Sequence, residues 1–583
     1  MLYILEEEET DMPFPEIDLF ISPPVNATGD QSDEDSGEDD GDVNINNLPG
    51  SILKAQAEIR GFQNEENYHG QENSNILPGE PEPGSSCSQH HKKKNYRKQK
   101  LHFNWKSEDL KPNWPEWIPS ELVCNEKSPV EWFCSMFDDD VYWLLTSETN
   151  KYLARKNKVG DVTEEEMKCV IGVLLLSGYL TPARRRLFWE NLDDTHNELV
   201  CSAISRDRFD FIFRHLHLND LDKLDKQDKY TKVRPLIDLL NGKFKSMAPH
   251  SQNHSIDEAM VPYFGRHGCK QFIRNKPIRY GYKFWVGATE NGYIIWFEPY
   301  QGASTPIQEN YQKFGLGGSV ILQYSDVLKT LYPEATYHFF FDNFFTNVPL
   351  LLELSSRKTM ATGTIRENRT SNCPLEETSQ MKKKGRGSFD YKTTEGKVTV
   401  CKWNDNSIVS IATNAVPIHP CKNVSRYSRQ ERKKIQIQQP RVISMYNRFM
   451  GGVDRSDQNI SLYRVSMRGK KWYYPIIMHC IDMAEQNSWI LHRFNNGKLD
   501  HLTFRRRIAT ALLETNRRTT KRGPSKPSRS EHMDSRYDRL DHLVIPQETQ
   551  TRCRYCHQKS TTRCMKCDVG LHVKCFVPYH TKE

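Results

Sequence analysis

The segment Tyr337–Phe341 is an unbroken apolar and aromatic run that stops abruptly at Asp342. A run this short, with no polar alternation, is what a strand buried on both faces requires. An aspartate ionised and unpaired at the end of such a strand is costly, so something positive must face it. One short stretch therefore predicts both a buried sheet and a carboxylate exposed at its end.

Helical spacing fills the chain before it, to about residue 252. From Thr163 onward, Met167, Val170, Ile171, Leu174, Leu175 and Gly178 share one helical face, and Thr163 with Glu166 forms a capping-box pair. Phe209, Ile212, Phe213 and Leu216 repeat the spacing. The pattern then changes. His254–Met260 leads to Tyr280–Val286 and Ile294–Phe297, joined by Asn291-Gly292, a strong hairpin signal. Residues 366–434 turn polar and predict a second hairpin, Val398–Trp403 with Ser407–Thr413, as an insertion carrying its own strands. Helical spacing returns over 435–461 and again at Ile477, Cys480, Ile481, Ala484 and Ser488. Helices and strands mix along the chain, and 583 residues exceed what one hydrophobic core supports.

Charge is distributed unevenly. Residues 1–50 hold fifteen Asp and Glu with no Lys or Arg, so a net +6 chain carries +21 over its remaining 533 residues. A basic body suggests a polyanionic partner, although a scattered, solvated basic surface meets the same number. Residues 1–105 read as disordered, and Arg517–Arg529 as a basic linker. The longest apolar run, Val170–Leu180, is half of the roughly 20 residues a bilayer needs, so no membrane partner is expected. Glu6–Glu9 without a basic, apolar lead argues against a secretory signal.

Five of the fifteen cysteines fall in the last 33 residues, which points to a local metal site in a reduced compartment. The spacing is Cys553-x2-Cys556-x7-Cys564-x2-Cys567-x4-His572-x2-Cys575-x4-His580. Tetrahedral Zn²⁺ takes four N or S ligands, and paired Cys-x2-Cys knuckles each supply two. In a cross-braced arrangement Cys553 and Cys556 join His572 and Cys575, while Cys564 and Cys567 join His580. His557 is a candidate for the eighth ligand.

Two further acids share the context of Asp342. Asp257 sits in SIDEAMVPYFG and Asp454 in MGGVDRSDQN, with Asp457 on the same helical face. Carboxylates converging from separate segments suit Mg²⁺ (or Mn²⁺), which takes oxygen ligands and serves phosphodiester chemistry in pairs. Spacing alone leaves the ordinary alternative standing, since an Asp after a strand is commonly a cap or turn former.

The motifs IDEAMVPYFGRHG, KPIRYGYKFW, FFFDNFFTN and YNRFMGGVDRSDQ, in this order, resemble the piggyBac transposase family, and the similarity runs from about Pro129 to the C-terminus. The resemblance implies an α/β fold: a ribonuclease H-like catalytic core (253–365 and 435–461) inserted in an α-helical dimerisation and DNA-binding domain (106–252 and 462–515). An insertion domain (366–434), a linker (516–550) and a Cys-rich zinc-binding domain (551–583) complete that plan, after the acidic N-terminal region. It implies Asp257, Asp342 and Asp454 as the catalytic metal-binding triad and Asp457 as a further acid near it. It also implies a homodimer in the nucleus acting on double-stranded DNA, cutting transposon ends and joining them to TTAA targets. A catalytically silent, domesticated DNA-binding or chromatin protein is the alternative. Expected DNA contacts are Lys276, Arg468, Lys470, Lys471 and Trp472, with Arg184–Arg186, Lys382–Lys384 and Arg505–Arg507 as further basic candidates. Trp472 either stacks on an unpaired base or packs in the core.

Overall fold

The computed structural model describes residues 103–118, 127–515 (except 193, 274–275 and 430), 536 and 542–581, together with two short strands near the N-terminus. Most of the region read as disordered and all of the basic stretch Arg517–Arg529 lie outside the described residues. Residues 1–99 form a unit of their own, within which β1 (Asp18–Ile21) pairs antiparallel with β2 (Ala57–Arg60).

The rest is built on one ten-stranded mixed sheet. Its centre is β4 (Asn253–Pro262), flanked by antiparallel β6 (Tyr280–Thr289) and parallel β8 (His338–Phe341). Beyond β8 lies parallel β9 (Met360–Thr364), and beyond β6 the antiparallel β7 (Ile294–Pro299). Gly292, at φ +91°, makes the β6–β7 turn that the Asn-Gly pair predicts. The short β5 (Lys270–Phe272) also pairs with β6.

The apolar run 337–341 is buried on both faces, as expected. Phe339 and Phe341 face Tyr324 and Phe345, on the side of α7 (Gly315–Leu331) and α8 (Val348–Ser356). Phe340 faces the opposite side, 5.3 Å from Phe449 at the end of α10 (Arg441–Phe449).

The expected hairpin is present as β11 (Val398–Asn404) and β12 (Ile408–Thr413). It does not stand apart as a separate body, however. β12 pairs along β9, so β12, β11, β10 (Phe389–Thr394) and β3 (Trp105–Lys106) extend the central sheet. The reason is that β9 would otherwise be an open edge with unpaired backbone groups, and β12 covers it. Within the insertion, β13 (Lys422–Ser428) and β14 (Lys433–Gln439) form a separate two-stranded ribbon.

Helices from both ends of the chain pack together. The early set is α1 (Pro129–Met136), α2 (Asp139–Arg155), α3 (Glu164–Ser177), α4 (Glu198–Ala203), α5 (Arg206–His215) and α6 (Arg234–Ser246). Thr163 and Glu166 cap α3 reciprocally, as its sequence predicts. Between the sets lie α9 (Thr378–Lys383) and α11 (Gly452–Leu462). The late set, α12 (Tyr474–Phe494) and α13 (His501–Thr515), packs on α1 and α3.

Arg505 of α13 is fully buried there. It donates to Asp482 Oδ1 (2.8 Å), Glu485 Oε2 (3.0 Å) and the Leu175 carbonyl (3.1 Å). That corrects its reading as a phosphate contact: its fork is committed to two buried carboxylates. Among the described residues no helix is long and apolar enough to cross a membrane.

Candidate functional site

The aspartates predicted from sequence come from three adjoining elements. Asp257 lies on β4, and Ile256 is in register with Phe341 on parallel β8, so Asp257 and Asp342 are neighbours on adjacent strands. Asp342 begins the turn after β8. Its Oδ1 accepts from Phe344 N (2.8 Å) and its carbonyl from Thr346 Oγ1 (2.8 Å), which hold it at the strand end.

Asp454 is in the first turn of α11, where a carboxylate is favoured by the helix dipole. The start of α11 is clamped to the sheet: Val453 N donates to Ser255 Oγ on β4 (2.9 Å), and Arg455 Nη1 to the Glu290 carbonyl (2.8 Å). Gly452 makes this approach possible, because a Cβ there would press into the Thr289 carbonyl oxygen and the Ser255 hydroxyl. Asp457 lies one turn further along.

The acids feel one another. Burial raises the Asp257 carboxyl to about 7, against the pull of Lys276, and the charges of Asp342 and Asp454 push the same way. Asp457 is likewise raised to about 7 by burial, opposed by Arg464 and Lys276 and reinforced by Asp257 and Asp454. Asp342 is raised too, mainly by burial. Burial also raises the phenol of Tyr446 on α10, with Asp342, Asp257 and Asp454 adding to the effect.

The donor set fits divalent ions. Among the described residues, the His, Cys, Asp and Glu groups whose ligand atoms all lie within 4.8 Å of one another are two Cys/His clusters, and the three aspartates are not such a group. Oxygens on one octahedral ion lie at most about 4.2 Å apart, given arms of about 2.1 Å. As placed, the three aspartates therefore do not all converge on one ion.

Lys276 sits at this site, its Nζ 4.0 Å from Asp257 Oδ2 and donating to the Glu258 carbonyl (3.2 Å). Glu258, next to Asp257, is taken up by Lys283 at 2.5 Å. The other expected DNA contacts divide. Arg468 and Lys470 are exposed on the loop before α12. Lys471 turns inward, 4.7 Å over the Tyr152 ring and 3.4 Å from His217 Nδ1. Trp472 is half-buried, stacked 4.1 Å from His267 and edge-on to Tyr230, so packing accounts for its position. Arg366, which pulls against the rise at Asp342, and Arg464 carry no signal in the sequence, and only the fold brings them to the acids; Tyr446 opens the motif YNRFMGGVDRSDQ, but nothing there marks it as a neighbour of the acids.

At the C-terminus the Cys and His residues gather into two tight groups, Cys553, Cys556, His572 and Cys575, and His542, Cys564, Cys567 and His580. The eighth member is His542, not His557. His557 is exposed at φ +60° in the knuckle turn, its N–H bonded to the Cys553 carbonyl. His542 lies ahead of β15 (Val544–Arg552), within the stretch read as linker, and β15 pairs with β16 (Lys559–Cys564). That pairing returns His542 Nδ1 to 3.4 Å from both Cys564 Sγ and Cys567 Sγ.

Such separations match the edges of a tetrahedron with 2.0–2.3 Å arms, about 3.5 Å. Outer hydrogen bonds set the histidine tautomers. His572 Nε2 meets the Lys559 carbonyl (2.9 Å), leaving Nδ1 inward, and His580 Nδ1 meets the Phe576 carbonyl (2.8 Å), leaving Nε2 inward.

Comparisons with known proteins agree on a lineage. A family model described as "Transposase IS4" matches residues 128–489. PiggyBac transposable element-derived protein 3 of Homo sapiens is 43% identical over 98% of each chain. PiggyBac transposable element-derived protein 2, also human, is 41% identical over 97% of this chain and 93% of its own. The fold is similar to that of the piggyBac transposase in a synaptic complex with hairpin DNA, with a TM-score of 0.57 at 22% identity, covering 79% of this chain and 98% of that one.

Proposed function

We propose, since this chain belongs to the piggyBac transposase family, that it binds duplex DNA in the nucleus, as a homodimer, and cleaves and rejoins it at the aspartate site. The observation that carries this reading is the placement of Asp257 on β4 beside Asp342 at the end of β8, no member of the triad substituted, with the Asp257 carboxyl raised by burial and, less, by the charges of Asp342 and Asp454. The strand order β7-β6-β4-β8-β9, with only β6 antiparallel to its neighbours on the β4 side, supports a ribonuclease H-like core.

Asp257, Asp342 and Asp454 would hold Mg²⁺ or Mn²⁺, and such ions, when bound, activate the attacking oxygen and stabilise the leaving oxygen at phosphorus. The chain's own residues do the positioning. The Asp342 turn and the clamped start of α11 present two carboxylates at fixed depth. Lys283 keeps Glu258 out of the set. Lys276 places a positive charge where a phosphate would approach. Transposon-end cutting and joining to TTAA is the full activity this predicts. The two Cys/His groups are proposed as Zn²⁺ sites, in view of their thiolate and imidazole donors and tetrahedral spacing.

The relatives' names, "transposable element-derived", favour one other reading: a protein that binds DNA and no longer mobilises it. An excision assay in cells, with Asp342→Ala alongside, separates the two. Excision by the parent and none by the variant supports the enzyme. Binding to element ends with no excision or nicking in Mg²⁺ or Mn²⁺ overturns it.

A further inference from the structure

The β13–β14 ribbon is paired from Lys422↔Gln439 to Ser428↔Lys433, and its two faces differ. Val424, Ile435 and Ile437 turn inward onto the cluster that contains Trp403, Ile418 and Phe389. Asn423, Ser425 and Tyr427, opposite Gln438, Gln436 and Lys434, turn outward and are exposed, Tyr427 at 58%. The tip adds exposed Arg429, Arg432 and Lys433, against one acid, Glu431, which pairs with Lys433 at 3.0 Å.

The ribbon is anchored along its length, near its tip through Arg426 and Tyr427 and near its root through Gln438. Asp405 joins Arg386 (2.5 Å) and Arg426 (3.0 Å), Arg386 donates to the Tyr427 carbonyl (3.0 Å), and Trp403 Nε1 to the Gln438 carbonyl (2.9 Å).

We propose that this ribbon is a DNA-reading arm that enters the major groove of a duplex beside the aspartate site. The major groove admits a two-stranded antiparallel ribbon, and Asn and Gln side chains are suited to paired hydrogen bonds with adenine N6 and N7. The outward face carries one Asn and two Gln, with a hydroxyl and a phenol between them. Its basic tip matches flanking phosphates.

Position supports the assignment. β14 runs through Pro440 into α10, nine residues long, and then into the Asp454 helix. Nine helical residues rise about 14 Å, the length of about four base pairs. The root of the ribbon is thus joined to the Asp454 helix by one short helix. The proposal rests on the DNA reading above and adds to it a surface and a mode of recognition.

The test uses the full chain with zinc retained and no added Mg²⁺ or Mn²⁺, and a labelled 60-base-pair duplex of random sequence. Arg429, Arg432, Lys433 and Lys434 changed together to Ala should weaken binding more than tenfold at 0.15 M salt. The slope of log K against log salt should become shallower by about 0.9 for each phosphate that is no longer neutralised. Asn423, Gln436 and Gln438 changed to Ala should flatten an A·T preference obtained by selection from a randomised duplex pool. A photoreactive p-azidophenylalanine in place of Tyr427 should crosslink to the duplex. Unchanged thermal midpoints verify that the variants fold. If the parent binds duplex while the tip variant keeps its affinity and slope and no crosslink forms, the ribbon assignment fails and the DNA reading stands. If the parent binds no duplex, both fail.

Discussion

Carboxyls with pKa values of about 7, as Asp257 and Asp457 have, stay protonated in the folded, metal-free protein at a pH where the unfolded chain has ionised them. The folded state then binds more protons, so their contribution to stability is full below about pH 4 and is lost as pH rises through 7. The thermal midpoint of metal-free protein should fall from pH 5 to pH 8, and Asp257→Asn should flatten that fall, which scanning fluorimetry can measure. Mg²⁺ should raise the midpoint more at pH 8 than at pH 6, because protons no longer compete for the same oxygens. A parent and variant with parallel pH profiles would refute this account. At Gly452 the constraint is steric. Gly452→Ala should cost roughly 1–3 kcal/mol by forcing α11 off β4 and β6, with loss of metal-dependent nicking. Ser255→Ala, which removes only the hydroxyl that accepts from Val453 N, should cost about 1 kcal/mol.

Among the elements, those legible in the sequence carry their cause locally. The α3 cap needs only Thr163 and Glu166, and β8 only its own five residues. Joining β12 to β9 is different: nothing in residues 408–413 names a partner nearly fifty residues earlier, and the pairing follows from an edge that had to be covered. Arg505 defies a reading from sequence for the same reason. Its neighbours Arg506 and Arg507 are exposed, and only the packing of α13 on α3 and α12 distinguishes it from them. The candidate acids can be picked out because each interrupts an apolar or glycine-rich context. Arg366, Arg464 and Tyr446 interrupt nothing. Arg505→Met should destabilise by about 3–5 kcal/mol, since Asp482 and Glu485 remain buried without their partner. Arg506→Ala should stay within about 0.5 kcal/mol. Comparable midpoints for the two variants would contradict the buried pair.

For the whole molecule, the C-terminal module has its own small core of Cys553, Cys564, Cys567, Leu571 and Cys575, mostly members of the two Cys/His groups, so metal bound there should supply much of its folding free energy. A chelator should expose its cysteines to thiol reagents while the midpoint of the sheet and helices holds. His542→Ala should lower bound zinc from two ions to one by elemental analysis, whereas His557→Ala should retain two. His542 is hidden in the sequence because it lies eleven residues ahead of the first cysteine, and β-pairing rather than a knuckle returns it.

Asn487 on α12 accepts from Ile294 N and donates to Ile294 O, both at 2.8 Å, so a late helix buttresses a hairpin made almost two hundred residues before it. During synthesis, Asp257, Asp342 and Asp454 leave the ribosome well before that support is complete. A product ended by a stop codon between residues 460 and 480 would possess every acid and lack the strut behind the β6–β7 turn. Truncated messages should therefore yield material for proteolysis rather than a stray nuclease.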